Sequence, residues 1–546
     1  MRLLLSIAFF VAALNAHSFG HYIAVADTGG TDEAGFFGSA ANRAKLVAAK
    51  HEFNQSNMRG ALTLYREILE TEPNNGSALY WTARCHYALK RYDLAKKYLD
   101  LAVDIDPDVQ TNINYFYGMI HHRLAELDAA IERFTMFLQL SKGKDAFEVE
   151  EAERFIAQCR YAKKMMQRPV DVTIENMGPV VNTRFDEYAP AVTADGKLLL
   201  FTSRRSDATG GGIDEGGDYK FFEDIYFSEW SQERAEWLEA RGAEGEVNTP
   251  DYDAVLSVAP DGSSMYIYRN TAKSAGNIFV SRYNAAEKSW YAPEQMPRPI
   301  SSSYFESSCS ITADGSAFYF ISERPEGLGQ GDIYVAKRQG NGWAKPENLG
   351  KLINTELDEK FVFIHPNGRT LYFASDGHQT LGSYDIFRSE FVNGQWSVPI
   401  NLGYPINTVN EESTFSLTGD SKLMYIAAEY ADALGERDIY TVDVSRYSLL
   451  SAAGDMNSYA TVIIEAVDAG GKPVRGATIE VYYANDLDHK VVSGQTDKAG
   501  RWKVNLPVGD SYRIGGIDGK RTASRELSIA ANQSATETVP VQITLP

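Results

Sequence analysis

Five acidic residues stand at matching places in one repeated unit: Glu187, Asp253, Glu306, Glu359 and Glu412. Each lies five positions after an Asn or Ser marker, namely Asn182, Asn248, Ser301, Asn354 and Asn407, and the last four acids are spaced by 53 residues. Carboxylates brought together in a ring repel one another unless each has a partner, so such a ring would capture a cation or a basic segment of another protein. A structural reading stands beside it, with each acid tied to backbone amides or to an arginine of the next unit such as Arg204 or Arg324. A third reading takes two of the acids as the carboxylate pair of a glycoside hydrolase, which needs a defined separation.

Other chemistries find little support. The chain has no Gly-x-Ser-x-Gly elbow, no His-Glu-x-x-His, no phosphate loop and no dinucleotide fingerprint. His121 and His122 are adjacent, so on a helix they diverge by about 100° and cannot share a metal. Asp104, Asp106 and Asp108 lack the glycine and distal Glu of a calcium loop. The glycine-rich stretch with Asp214, Glu215 and Asp218 reads as a mobile loop rather than a calcium site. No catalytic residue, metal or cofactor is therefore expected. Three cysteines, Cys85, Cys159 and Cys309, form no disulfide framework and read as small buried apolar residues, with a Cys85–Cys159 bridge as the alternative. A net charge of −20 argues against nucleic acid and against an anionic membrane surface.

The elements that would carry the acidic residues announce themselves through periodicity. Trp237, Trp290, Trp343 and Trp396 are 53 residues apart, as are Asp261, Asp314, Asn367 and Asp420. Within one unit, Phe361–Ile364, Leu371–Ala374, Tyr384–Arg388 and Trp396–Pro399 are short β-rich runs separated by turns such as Asn367-Gly368 and Asn393-Gly394. Four antiparallel strands repeated at this interval predict a β-propeller blade. Each acidic residue precedes the innermost strand, which would set the five around one mouth of the central channel. The first unit carries an insertion of 11 residues at its glycine-rich loop. The last lacks a tryptophan strand, and residues Asp171 to Met177 would supply it from the other end. That closure gives five blades and removes the exposed strand edges; a degenerate sixth blade stays open.

Upstream the pattern turns helical. Ala61, Ala95 and Ala129 are 34 apart, and so are Pro73 and Pro107, the tetratricopeptide period. Residues 44–166 read as three such repeats plus a capping helix, Phe147 to Met165, whose Glu-rich face solvates the stack. Such a stack either offers a concave surface to protein partners or serves as a spacer packed on the propeller. Residues 1–20, with Arg2 and the apolar run Leu3 to Leu14, read as a secretory signal, and 21–43 as a flexible segment. No other run is long and apolar enough for a membrane span. The propeller occupies 170–446, and alternating strands over 458–546 predict a β-sandwich.

Several motifs carry resemblances. Asp195-Gly196-Lys197 with Glu223-Asp224-Ile225-Tyr226, Gly331-Asp332-Ile333-Tyr334, Asp385-Ile386-Phe387 and Asp438-Ile439-Tyr440 resemble the TolB-type, WD40-like propeller family; Asn277-Ile278-Phe279 departs from it. That resemblance implies aspartates capping turns and aromatics filling the spaces between blades. Gly471-Lys472-Pro473-Val474-Arg475-Gly476-Ala477 and Thr496-Asp497-Lys498-Ala499-Gly500 resemble the carboxypeptidase-regulatory-like sandwich, which implies a non-catalytic module. The domain order is similar to that of the PorE-like envelope proteins of Bacteroidota-type bacteria. It implies a periplasmic scaffold with protein partners in an outer-membrane or type IX secretion-type assembly, with indirect association with the outer membrane. The family's lipobox cysteine and OmpA-like C-terminal domain are not matched, so anchoring through a partner is expected. The alternative function is a binding module for a glycan or peptide at the propeller mouth, with a propeller glycosidase as the minor alternative.

Overall fold

The computed structural model describes residues 40–546 apart from 111, 142–145, 215–217, 272–273, 452–458, 532 and 534–537. It opens with paired helices: α1 (Ala40–Asn54) and α2 (Met58–Thr71), α3 (Gly76–Ala88) and α4 (Tyr92–Ile105), α5 (Ile113–Arg123) and α6 (Leu127–Ser141), then α7 (Ala146–Met166). The three pairs turn at Ser56, Lys90 and Ala125, each left-handed at φ 64°, 58° and 56°, which ends the first helix so that the second folds back. Asn57 and Asn75 cap α2 and α3 by accepting from Gly60 and Ala78 N–H. Ala61, Ala83, Ala95 and Ala102 are fully buried, so the helices approach closely. Gly118 serves the same end, since a Cβ there would stand 2.7 Å from the Phe134 ring.

Two expectations about this region need correction. The segment 21–43 is not wholly flexible, because α1 begins at Ala40. The Glu-rich face of α7 does not simply solvate the stack either. Glu148 and Glu151 are buried, and Tyr115 donates its hydroxyl to Glu151 at 2.8 Å, because α7 lays one polar edge against α5. The signal segment 1–20 lies outside the described residues.

Five antiparallel sheets follow, four of five strands, with two short strands sharing the outermost position, and one of four, and they make a five-bladed propeller with the predicted closure. The strand Thr173–Asn176 pairs antiparallel with Asp438–Asp443, in register from Thr173 opposite Asp443 to Asn176 opposite Tyr440. It thereby completes the sheet that holds Phe415–Leu417 and Leu423–Ala428. The innermost strands begin at Glu187, Asp253, Glu306 and Glu359 in blades 1 to 4, and in blade 5 the inner strand Phe415–Leu417 follows Glu412. Asp224, Asp385 and Asp438 accept from Thr209, Leu381 and Leu434 N–H, capping the loops that lead into their strands.

The C-terminal region is a sandwich of a three-stranded sheet (501–507, 459–468, 538–545) and a four-stranded one (486–495, 478–483, 511–518, 521–528). Its core holds Val462, Ile464, Ile479, Val481, Leu506 and Ile514, and Val398 of blade 4 joins it. Asn505 ties the two bodies: Val398 N–H donates to its carbonyl (3.1 Å), and its amide donates to Val392 O (3.0 Å).

Candidate functional site

Each of the five repeated carboxylates is held by hydrogen bonds within its own blade. Thr183 donates its N–H (2.8 Å) and hydroxyl (2.7 Å) to Glu187, which also accepts from Ser203 (2.7 Å) and Arg205 (3.3 Å). Thr355 treats Glu359 the same way (3.0 and 2.9 Å), with Ser375 at 2.8 Å, and Thr408 does so for Glu412 (2.8 and 2.7 Å). Thr249 and Arg269 hold Asp253, the arginine at 2.7 Å. Ser302 and Ser322 hold Glu306, with Arg324 3.6 Å away. All five side chains are buried, at 2% exposure or less, so they close the loop that feeds each inner strand.

The arginine partners belong to the same blade rather than the next, and Arg204 turns instead to Asp218 (2.8 Å). Asp214 and Asp218 are described, whereas Glu215 is not. Gly377 and Tyr430 occupy the places of Arg205 and Arg324 in blades 4 and 5. Burial pushes all five carboxyls upward against the opposing hydrogen bonds, and Glu359 and Glu412 rise to about 8.

The charges that gather beneath the helical domain are the neighbours of these acids, and the sequence reading missed them. Asp186 forms a two-pronged pair with Arg437 (2.7 and 2.9 Å), with Lys220 3.5 Å away. The Arg437 guanidinium lies 4.2 Å from the centre of the Tyr188 ring. Lys360 pairs with Glu411 at 2.7 Å and sits 4.5 Å over the Tyr384 ring, whose hydroxyl donates to Asp358 (2.7 Å). Tyr188 donates in turn to the buried Glu223. Burial would raise Asp186 and Glu411. Arg437 and Lys220 reverse this at Asp186, and Lys360 with Lys90 holds Glu411 at about 2. Glu223 keeps the effect of burial and stands at about 7 despite Arg204.

The helical domain reaches into this network through the turns of its repeats. Lys90 pairs with Glu429. His122 meets Leu381 O at 3.0 Å, and Arg123 donates to Val409 O at 2.6 Å. From α7, Gln158 donates to Thr380 Oγ1 (2.7 Å) and Gly382 O (2.8 Å). Leu381 and Val409 enter the helical core itself, so the seam is both charged and apolar. His121 and His122 thus go to Glu126 and Leu381 rather than to a shared ion. Among the described residues, no group of three or more His, Cys, Asp or Glu is placed to hold a metal. Opposite charges pair across the blades in buried contacts, Arg437 with Asp186 and Lys360 with Glu411, while the pair that Lys90 of the helices makes with Glu429 is half-buried.

Signals for these residues are weak in sequence because they do not repeat. The places of Asp186, Asp358 and Glu411 are taken by Tyr252 and Phe305 in blades 2 and 3.

Residues 46–109 match the family model described as Tetratricopeptide repeat. No curated protein matches the chain in sequence. Solved structures similar to it include TolB from Acinetobacter baumannii, at 16% identity, a TM-score of 0.29 and 49% of this chain; the chain spans 56% of that protein. The periplasmic gluconolactonase PpgL of Pseudomonas aeruginosa is similar at 10% identity, TM-score 0.27, over 64% of this chain and 86% of that one. A luciferin-regenerating enzyme gives 12% identity and TM-score 0.29, over 50% of this chain and 95% of that one.

Proposed function

We propose that the chain is a non-catalytic scaffold of the periplasm that joins protein partners of an outer-membrane or type IX secretion-type assembly. The observation that supports this is the division of labour on the helical domain. The turns within its repeats are engaged on the propeller, while Leu94, Leu101 and Ile105 on α4 and Met136 and Leu140 on α6 stand exposed, Leu140 at 69%. Exposed apolar side chains on the second helices of two repeats suit a protein partner better than water. The periplasmic location rests on the leader-like pattern of residues 1–20. The buried, hydrogen-bonded state of Glu187, Asp253, Glu306, Glu359 and Glu412 disfavours both a ligand site and a glycosidase site built from them.

In-cell crosslinking of the tagged chain, followed by affinity capture from its native envelope, tests the reading. Recovery of outer-membrane or secretion components through Lys96 and Lys97 of α4, lost in a Leu101→Glu, Leu140→Glu variant, is expected. Recovery of the chain alone overturns it.

A further inference from the structure

The seam between blades 2 and 3 breaks the repeat at four places. Asn354 and Asn407 clasp the isoleucine of the blade before them, but the third marker is Ser301, whose hydroxyl has no partner among the described residues. The strand aspartate is replaced by Asn277, likewise unpartnered there. The residue paired across from the outer tryptophan is Trp230, Tyr283 or Phe391 in blades 1, 2 and 4, each ring within 5.7 Å of its tryptophan. In blade 3 it is Arg338, whose guanidinium lies 4.7 Å from the centre of the Trp343 ring. Finally, the site of Leu199, Met265, Leu371 and Met424 in the other blades is held by Phe318.

The consequence is a missing plug. Trp237 reaches the preceding blade to meet Tyr425 (6.0 Å), and Trp396 does so to meet Tyr319 (6.2 Å). Trp343 rests instead on the bulkier Phe318 of its own blade (5.6 Å), and Phe318 also covers Tyr266 (5.2 Å). A cleft of about 620 Å³ opens between the blades, on the side of the Asp261 and Asp314 hairpins and away from the helical domain. That is within the ~300–1,000 Å³ typical of small-ligand sites.

Its lining names the ligand class. Trp343, Met296 and Val280 supply an apolar wall, and Asp261, Asp314 and Glu294 supply acceptors. Arg338, Arg282 and Asn341 supply donors, Arg282 standing 3.4 Å from Glu294. A purely anionic ligand would meet three carboxylates, and a purely cationic one would meet two guanidinium groups. A sugar ring presents an apolar C–H surface and hydroxyls that both donate and accept, so it satisfies both sets. We infer that this cleft binds a neutral oligosaccharide.

Calorimetric titration of the full chain with neutral tetrasaccharides of glucose (α- and β-linked), N-acetylglucosamine and xylose tests it, beside a galacturonate tetrasaccharide and acidic and basic hexapeptides. Binding of a neutral saccharide is expected, weakened at least fivefold by Arg338→Ala and by Asn341→Ala without change in melting temperature. Arg338→Phe, which restores the aromatic of the other blades and fills the cleft, is expected to abolish binding while the protein stays folded. Absence of binding by every neutral saccharide overturns the inference. So does binding unchanged in all three variants, or binding of the uronate or a peptide in their place.

Discussion

The side-chain amide of Asn354 grips both backbone groups of Ile333: its Nδ2 donates to the carbonyl (3.0 Å) and its Oδ1 accepts from the N–H (2.8 Å). Asn354 opens blade 4 and Ile333 belongs to blade 3, so one side chain stands in for a strand pairing between blades. Asn182 with Ile439, Asn248 with Ile225 and Asn407 with Ile386 repeat the clasp. The clasp of Asn182 on Ile439 joins the first blade to the last, beside the strand that closes the ring.

Removing one clasp strands a buried donor and acceptor, which costs ~1–3 kcal/mol for each unsatisfied group. Asn354→Ala is therefore expected to destabilise the propeller by about 2–3 kcal/mol. Urea unfolding followed by tryptophan fluorescence measures it; a change below about 0.5 kcal/mol would show that the clasp is not stabilising.

The buried carboxyls set a pH dependence with a definite sign. Glu359 and Glu412 stand at about 8 against an ordinary 4.5, so the folded state holds protons that the unfolded chain releases. Their contribution is fully present below about 4.5 and is lost as pH rises towards 8. Melting temperature should fall across that interval, and Glu359→Gln, Glu412→Gln should flatten the slope. An unchanged slope in the double variant would remove these residues as its source.

Asp186 and Glu411 act in the opposite direction. Both are held below the ordinary carboxyl range by cations that outweigh burial, Glu411 at about 2. Their contribution is present above about 4.5 and fades as pH falls towards 2. Truncating one partner of a buried pair costs ~3–5 kcal/mol, so Arg437→Ala should lower stability by that order at pH 7, and by somewhat less at pH 3, where the unfolded carboxyl is protonated but the folded pair keeps its charge. Chemical denaturation at both pH values distinguishes the two.

Lys90 and Arg123 tie the helical repeats to blade 5 and its approach loop. Lys90→Ala, Arg123→Ala should leave both domains folded but increase hydrogen exchange at residues 118–126 and 378–383. Exchange identical to the parent chain would show that the apolar contacts of Leu381 and Val409 suffice.

All three cysteines are buried and unpaired, so the alternative Cys85–Cys159 bridge is not formed. Burial raises the thiols of Cys85 and Cys159 to about 12, and that of Cys309 further. A thiol-specific chromogenic disulfide should therefore label none in the native protein and three equivalents in guanidinium chloride. Rapid labelling of a native cysteine would contradict this.

The architecture was legible because its causes are local. Side-chain alternation, Asx-Gly turns and the recurrence of Trp and Asn at 53 residues are properties of short stretches, and ring closure follows from a strand missing at the last unit and one to spare before the first. The direction of the five acids was not legible. Adjacent residues on an extended chain point to opposite sides, so position in the repeat cannot tell whether Glu187 or Asp186 meets the neighbouring elements. Only the folded chain decides that Glu187 closes its own loop while Asp186 takes Arg437, 251 residues away. The seat of the helical domain is equally non-local: Lys90 meets Glu429 across 339 residues, through side chains that no period marks. The sequence determined the blades and their order, and the structure settled their number at five. The tertiary structure decided which charges are buried together, because burial of a charge depends on what lies opposite it in space.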